Sequence, residues 1–276
     1  MGDGTLVLHN GSAVPDGRIP ITDPMVVRGD GCFEAMRSYG GAMFGLVEHL
    51  DRLRASADSL EIDLPARDEI EEWARQVALD RGDGVVRVFA SQDDAGTNVY
   101  AYSGPLPPTL ETLRLLPVEA PWHPAGASWA LAGVKTLSYA PNMAATRAAK
   151  AEGFDEALLV SSNGTVLEGP TSGILWVVDG VIETPGLDLG ILASVTMRFA
   201  LEQARRRGLQ VLEGRFPLSR LAAASEVAIL STTKEVTPVV AVGTEEFEAG
   251  PITKMLAEDY DAEVARLQDA LSESIR

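Results

Sequence analysis

Three glycine-bearing turns set between apolar runs constrain this chain more than any other feature. FEAMRSY is followed by Gly40-Gly41 and then AMFGLV. EALLVS and TVLEG flank Ser162-Asn163-Gly164, and GILWVV and VIETP flank Asp179-Gly180. A tight loop that needs positive φ joins antiparallel strands, whereas parallel strands need a long crossover. Segments of helical spacing run between these hairpins. EHLDRLRASADSLEI places Leu50, Leu53, Ala57 and Leu60 on one stripe. Further helices are expected over Arg67–Asp80, over MAATRAAKAEG with Gly153 as its stop, over SVTMRFALEQARRRG with Gly208 as its stop, and over KMLAEDYDAEVARLQDALS. Hairpins mixed with helices imply an α+β (mixed α/β) chain and exclude a parallel doubly wound sheet.

The other strands are read at residues 5–9 (TLVLH), near Ile19–Ile21 beyond the turn NGSAVPDG, and at VVRVFAS, NVYAYSG, WALAGV, LQVLEGRFP, EVAILST and VTPVVAVG. PVEAPWHPAGAS, rich in Pro and Gly, reads as a linker. It divides the chain into a small N-terminal α/β domain (1–117), a linker (118–126) and a larger C-terminal domain (127–276). Both pieces have globular composition, since the chain is 46% hydrophobic and 23% charged.

Charge excludes two classes of partner. A formal net charge of −17 repels nucleic acid and anionic membranes, yet leaves room for a local basic pocket that takes a small anionic ligand. No apolar run approaches the ~20 residues of a membrane span. The start, MGDGTLVLHNG, lacks the basic and apolar regions of a signal peptide. Cys32 is the only cysteine, so no intrachain disulfide forms and a cytoplasmic location is expected. One cysteine with three histidines argues against a structural zinc site.

Several residues carry chemistry beside a plainer reading. Lys135 stands at the end of WALAGV, just before a helix. Strand ends are wet and lysines decorate them, but a lysine desolvated there loses its proton and acts as nucleophile or base. Glu168, at the end of TVLEG, is either an exposed edge charge or an acid that pairs with a protonated ring nitrogen. LASVTMR opens a helix whose first-turn N–H groups and Thr196 hydroxyl can accept a phosphate, or Ser194 is an ordinary cap. Ser231-Thr232-Thr233 ends the strand EVAIL as an anion site or as a polar turn. Arg52 is an anion clamp or a surface ion pair. Arg87 interrupts the apolar VVRVFAS, where a cation needs a partner or ligand. Together these are the protein parts that pyridoxal 5′-phosphate requires.

The ordered set GDGCFEAMRSY, EHLDRL, VKTLSYAPN, DEALLVSSNGTVLEGPTS, ILASVTMR and SEVAILSTTKEVTPV resembles the class IV, D-amino-acid-aminotransferase-like family of fold type IV pyridoxal-phosphate enzymes over nearly the whole chain. Within it, VRGDGCFE with KTLSYAPNMA is most similar to the actinobacterial branch taken as 4-amino-4-deoxychorismate lyases. The resemblance implies a two-domain homodimer. It implies Lys135 as the lysine that binds the cofactor covalently, with Glu168 at the ring nitrogen. It also implies Arg52, Val195, Thr196, Ser231 and Thr232 at the phosphate and Tyr139 near the ring oxygen. Phe33, Arg87 and Thr233 fall on the substrate side. The activity so implied is release of 4-aminobenzoate and pyruvate, with transfer of an amino group from a D-amino or branched-chain acid to a 2-oxo acid as the alternative. Two places depart from the family: Glu34 stands where some lyases carry a hydroxyl residue, and VFASQDDAG lacks an arginine-glycine turn.

Overall fold

The glycine turns are where the chain reverses. In the computed structural model, which describes residues 5–14 and 17–275, Gly40 (φ 61°) and Gly41 (φ 98°) turn the chain so that Tyr39 pairs with Ala42. Asp179 (φ 51°) and Gly180 (φ 77°) do the same between Val178 and Val181. Both loops need positive φ at successive positions, which glycine adopts without a steric cost.

The chain divides into two compact units. The first is the chain up to Pro108, the segment Val134–Tyr139, and the chain from Glu263 onward. It contains β1 (Val7–His9), β2 (Ser12–Ala13), α1 (Pro24–Val27), β3 (Cys32–Tyr39), β4 (Ala42–Met43), α2 (Leu46–Ser59), α3 (Arg67–Arg81), β5 (Gly84–Asp93) and β6 (Gly96–Gly104). Six strands make one antiparallel sheet in the order β2-β1-β6-β5-β3-β4. Period-2 alternation splits β3 between two faces: Cys32, Glu34 and Met36 are buried, while Phe33, Ala35 and Arg37 are half-buried. The buried face meets Leu50, Leu53 and Ala57 of α2 and Ile70, Ala74 and Val77 of α3. Each fully buried leucine or isoleucine stabilises the unit by roughly 1.5–3 kcal/mol, so this layer holds β3 rigidly.

The second unit is Thr109–Gly133 with Ala140–Ala262. Its elements are β7 (Leu113–Glu119), α4 (Ala140–Ala151), β8 (Glu156–Val160), β9 (Gly173–Val178), β10 (Val181–Pro185), α5 (Val195–Arg206), β11 (Val211–Gly214), β12 (Glu226–Ser231), β13 (Glu235–Val242), β14 (Glu245–Glu246) and the start of α6 (Pro251–Ile275). The eight-stranded sheet runs β11-β10-β9-β12-β13-β7-β8, with β14 beside β13. The pairs β10–β11, β13–β7 and β7–β8 are parallel and the others antiparallel. Trp176, Ile174, Leu158 and Ile229 fill one core. Ala145 and Ala149 of α4 pack with Leu159, Leu167 and Leu189 in another.

Four expectations are corrected. The partner of β1 is Ser12–Ala13, not Ile19–Ile21, because Asn10 (φ 45°) and Gly11 (φ 78°) close the hairpin at once. Ile21 is left 81% exposed, and Pro15 and Asp16 of the expected turn lie outside the described residues. WALAGV is a series of turns, not a buried strand. Ala132 N–H donates to the Trp129 carbonyl, Gly133 (φ 72°) donates to that of Gly190, and Trp129 is 55% exposed. TVLEG bonds back to β8 through Leu159 and Leu167 but forms only isolated bridges, Val166 with Val160 and Thr165 with Pro217, since the ladder partner of β8 is β7. Finally, Pro117–Glu119 of the expected linker belongs to β7, so the first unit breaks off at Pro108.

Candidate active site

The first group of candidate residues surrounds Lys135. Its segment lies along the start of β3: Phe33 N–H donates to the Lys135 carbonyl (3.1 Å), Leu137 N–H donates to that of Gly31 (2.9 Å), and Cys32 bridges Thr136. Lys135 N–H also donates to Ser56 Oγ of α2 at 3.2 Å. Only glycine permits this approach, because a Cβ on Gly31 would meet the Ala90 carbonyl oxygen at 2.6 Å and Leu137 Cδ1 at 2.9 Å. The lysine Nζ then sits 4.4 Å from the Phe33 ring centroid and 5.6 Å from that of Tyr139. The two rings meet edge to face at 5.4 Å, so the amine is held by aromatic faces in a cation–π arrangement.

The half-buried face of the sheet continues this aromatic surface. Phe89 stacks against Phe33 at 5.9 Å and Tyr102 at 6.0 Å, and the Arg87 guanidinium stands 5.8 Å from the Tyr102 ring centre. Arg87 thus finds an aromatic partner beside Phe89 on its own strand face.

The opposite face of β3 carries Glu34, which is fully buried. Arg52 grips it with Nε on Oε1 and Nη2 on Oε2, each at 2.7 Å, and His49 Nδ1 approaches Oε2 at 2.7 Å. Burial pushes the Glu34 carboxyl up, but the Arg52 charge and hydrogen bonds, with those of His49, outweigh it and hold the group at about 2. His49 is shifted below the usual imidazole range, chiefly by burial and further by the charges of Arg52 and Lys135, against the pull of Glu34. The neutral ring therefore keeps its proton on Nδ1, facing the carboxylate. Burial, and then the nearby Glu34 charge, push the Cys32 thiol up to about 12.

The second group lies in the second unit. Glu168 has 16% of its side chain exposed, and its Oε2 accepts from Leu192 N–H at 3.1 Å. It is a partly open carboxylate, not a fully buried one. Ser194 is the N-cap of α5, its Oγ accepting from Met197 N–H at 3.2 Å. Val195 and Thr196 follow in the first turn, where helix geometry offers their N–H groups no carbonyl four residues back. That end of the helix carries the positive end of its dipole. Ser231 ends β12, and its hydroxyl accepts from Lys234 N–H at 3.2 Å. Thr232 and Thr233 lie half-buried in the turn to β13. Lys234 Nζ reaches Glu156 Oε2 at 2.6 Å and Thr171 Oγ1 at 3.1 Å, and Ser172 Oγ donates to Glu156 Oε1 at 3.0 Å.

Phe33, Arg52, Arg87, Lys135 and Tyr139 therefore belong to the first unit, and Glu168, Val195, Thr196, Ser231, Thr232 and Thr233 to the second. Sequence reasoning missed the Glu34–His49–Arg52 cluster: the i, i+3 spacing of His49 and Arg52 on α2 was its local signal, while Glu34 is brought to them from β3. It also missed His123 and the Lys234–Glu156 pair. Among the described residues no group of three or more His, Cys, Asp or Glu could hold a metal ion. None of their helices is long and apolar enough to cross a membrane.

The chain belongs to the class IV aminotransferases: the Amino-transferase class IV family model matches residues 31–242. It is 31% identical to a putative branched-chain-amino-acid aminotransferase of Methanocaldococcus jannaschii, over 89% of this chain and 91% of that protein. It is 30% identical to a bifunctional aminodeoxychorismate lyase / D-amino acid transaminase of Mycobacterium tuberculosis, over 88% and 92%. The solved structure of a hypothetical aminotransferase from Mycobacterium tuberculosis in its PLP-bound form matches with a TM-score of 0.85 at 26% identity, covering 93% of this chain and 98% of that one.

Proposed function

We propose that the protein is a pyridoxal-phosphate-dependent aminotransferase acting on a small amino acid. The cofactor is pyridoxal 5′-phosphate, and the residues present suit it. An amine ringed by Phe33 and Tyr139 serves as its covalent anchor, and a partly open carboxylate at Glu168 serves its ring nitrogen. The first turn of α5 at Val195 and Thr196, the Ser231-Thr232 turn and Arg52 serve its phosphate. When bound, the cofactor supplies an electron sink for the reacting amine. Lys135 Nζ holds and moves the proton of the substrate α-carbon. The aromatic face of Phe33 and Phe89 keeps water from that proton, while Arg87 and Thr233 meet the substrate carboxylate. Homodimerisation and a cytoplasmic location belong to the same proposal.

The observation that carries transamination ahead of elimination is the alternation along β3. It turns Glu34 into the core and leaves Ala35 between Phe33 and Arg37 on the half-buried face. Beside Phe33 the strand thus offers no hydroxyl to protonate a departing enolpyruvyl group: its hydroxyls, Ser38 and Tyr39, stand at the far end, Ser38 donating to the Gly82 carbonyl and Tyr39 lying under the Arg37 guanidinium. Aminodeoxychorismate lyase activity is the second reading, favoured by the bifunctional relative. Two assays on one preparation test both: D- and L-amino acids with 2-oxoglutarate, and aminodeoxychorismate alone. Turnover is expected with an amino acid. Borohydride reduction should abolish the visible band and place the pyridoxyl mass on the KTLSY peptide. Labelling of Lys150, Lys234 or Lys254 would refute the assignment of Lys135, and turnover of aminodeoxychorismate alone would move the lyase reading to first place.

A further inference from the structure

His123 lies in the proline-rich segment after β7, and its backbone is fixed from several sides. Its N–H donates to the Ala120 carbonyl (3.0 Å), Ala120 N–H to that of Val160 (2.8 Å), and Gly126 N–H to that of Leu189 (2.9 Å). Arg215 Nη1 donates to the Ala125 carbonyl at 3.0 Å. The imidazole side chain is 9% exposed. Its two nitrogens meet different groups. Ala125 N–H donates to Nδ1 at 3.2 Å. A backbone amide can only donate, so Nδ1 keeps its lone pair and the neutral ring carries its proton on Nε2. Nε2 faces Glu168 Oε1 at 3.7 Å, a little beyond hydrogen-bond distance, while Leu192 N–H donates to the other carboxylate oxygen at 3.1 Å. Glu168 thus has a hydrogen-bond donor on Oε2 and an imidazole N–H close to Oε1, and both neighbours sit on pinned backbone.

We propose that His123 is a positioning residue for Glu168. Its tautomer is locked by Ala125, so an N–H is always presented to Oε1. That neighbour limits the rotamers open to the carboxylate. The inference rests on the assignment of Glu168 to the cofactor ring nitrogen. A carboxylate so held is a stronger partner for a protonated ring than one free to turn to solvent, much as outer partners orient metal ligands.

The test compares His123→Leu, His123→Gln and Glu168→Gln with the parent, each checked for folding by circular dichroism. Pyridoxal 5′-phosphate is titrated into each apo protein, and the visible band is recorded after saturation. His123→Leu should bind the cofactor roughly 2–5-fold more weakly, as expected for the loss of one close polar contact, and shift the band in the same direction as Glu168→Gln. His123→Gln, which keeps a donor, should restore most of both. A His123→Leu protein with parental affinity and band, beside a shifted Glu168→Gln, would overturn the role of His123 alone. An unshifted Glu168→Gln would overturn the assignment of Glu168 and this proposal with it. Nitrogen NMR of the apo parent gives a reading without cofactor or variants: Nδ1 must be unprotonated and Nε2 protonated, and the opposite tautomer would refute the lock.

Discussion

Arg52 has two demands on one guanidinium. Its Nε–Nη2 edge holds Glu34 in the core, so a phosphate would have to be met by its other donors. Arg52→Ala should therefore do two things. It leaves a fully buried carboxylate without its main partner, a change that commonly destabilises by ~3–5 kcal/mol. It also removes the proposed charged contact to phosphate, whose loss would correspond to roughly 10–150-fold in affinity. Urea unfolding of the apo protein and cofactor titration read the two separately. Lower stability with parental cofactor affinity would confine Arg52 to the core. Glu34→Gln should show the converse bias, with weakened packing and a guanidinium less firmly aimed, and Arg52→Lys should not substitute, since an ammonium cannot grip both oxygens.

At the scale of elements, the turn from β12 to β13 is stapled by Lys234 to Glu156 at the start of β8 and to Thr171. Lys234→Met should destabilise the protein by on the order of 3 kcal/mol, because Glu156 is left buried with only hydroxyl partners. Adding Glu156→Gln should recover much of that loss in urea melts, and a double variant worse than the single would count against the staple. Elements of this kind differed in how far the sequence disclosed them. Turns at Gly40-Gly41 and Asp179-Gly180 were legible because their backbone conformation admits few residues. The stripes on α2 and α5 were legible because burial repeats at helical spacing. WALAGV was not, since an apolar run reads alike whether it pairs in a ladder or folds back through Gly133 toward Gly190. Lys135 was legible as a candidate, but its setting against Phe33 arises from β3, distant in sequence. His123 and Lys234 gave no local signal at all, because their partners are brought up by the tertiary fold.

For the molecule as a whole, the Glu34 cluster sets the response to acid. Glu34 is held at about 2 against an ordinary 4.5, so its stabilisation is complete above pH ~4.5 and is lost as pH falls toward 2, amounting to roughly 3 kcal/mol. His49 is depressed below 6.5, so the unfolded chain takes up a proton that the folded one refuses, and stability also falls below that pH. The two effects share a sign. Urea midpoints measured with enough salt to screen the surface charge should drop from pH 7 to 5 to 3. A midpoint that stays level or rises would contradict the cluster's assigned charges. Cys32 offers an independent reporter, because a buried thiol raised to about 12 should react with thiol reagents at pH 8 only when the chain unfolds.

The first unit is assembled from three separated stretches, and this has a consequence on the ribosome. Its six strands are complete once Gly104 has emerged, but Val134–Tyr139 comes next and the chain from Glu263 last. At ~5–20 residues per second, that final piece follows the sheet by on the order of ten seconds. In the finished unit Leu271 approaches Gly41, the turn that Leu79 also covers. A nascent chain halted midway through the second unit would display the lysine already laid along β3 while the sheet's turn still lacked its helical cover, so emergence of the helix beyond Glu263 is the event that brings that cover.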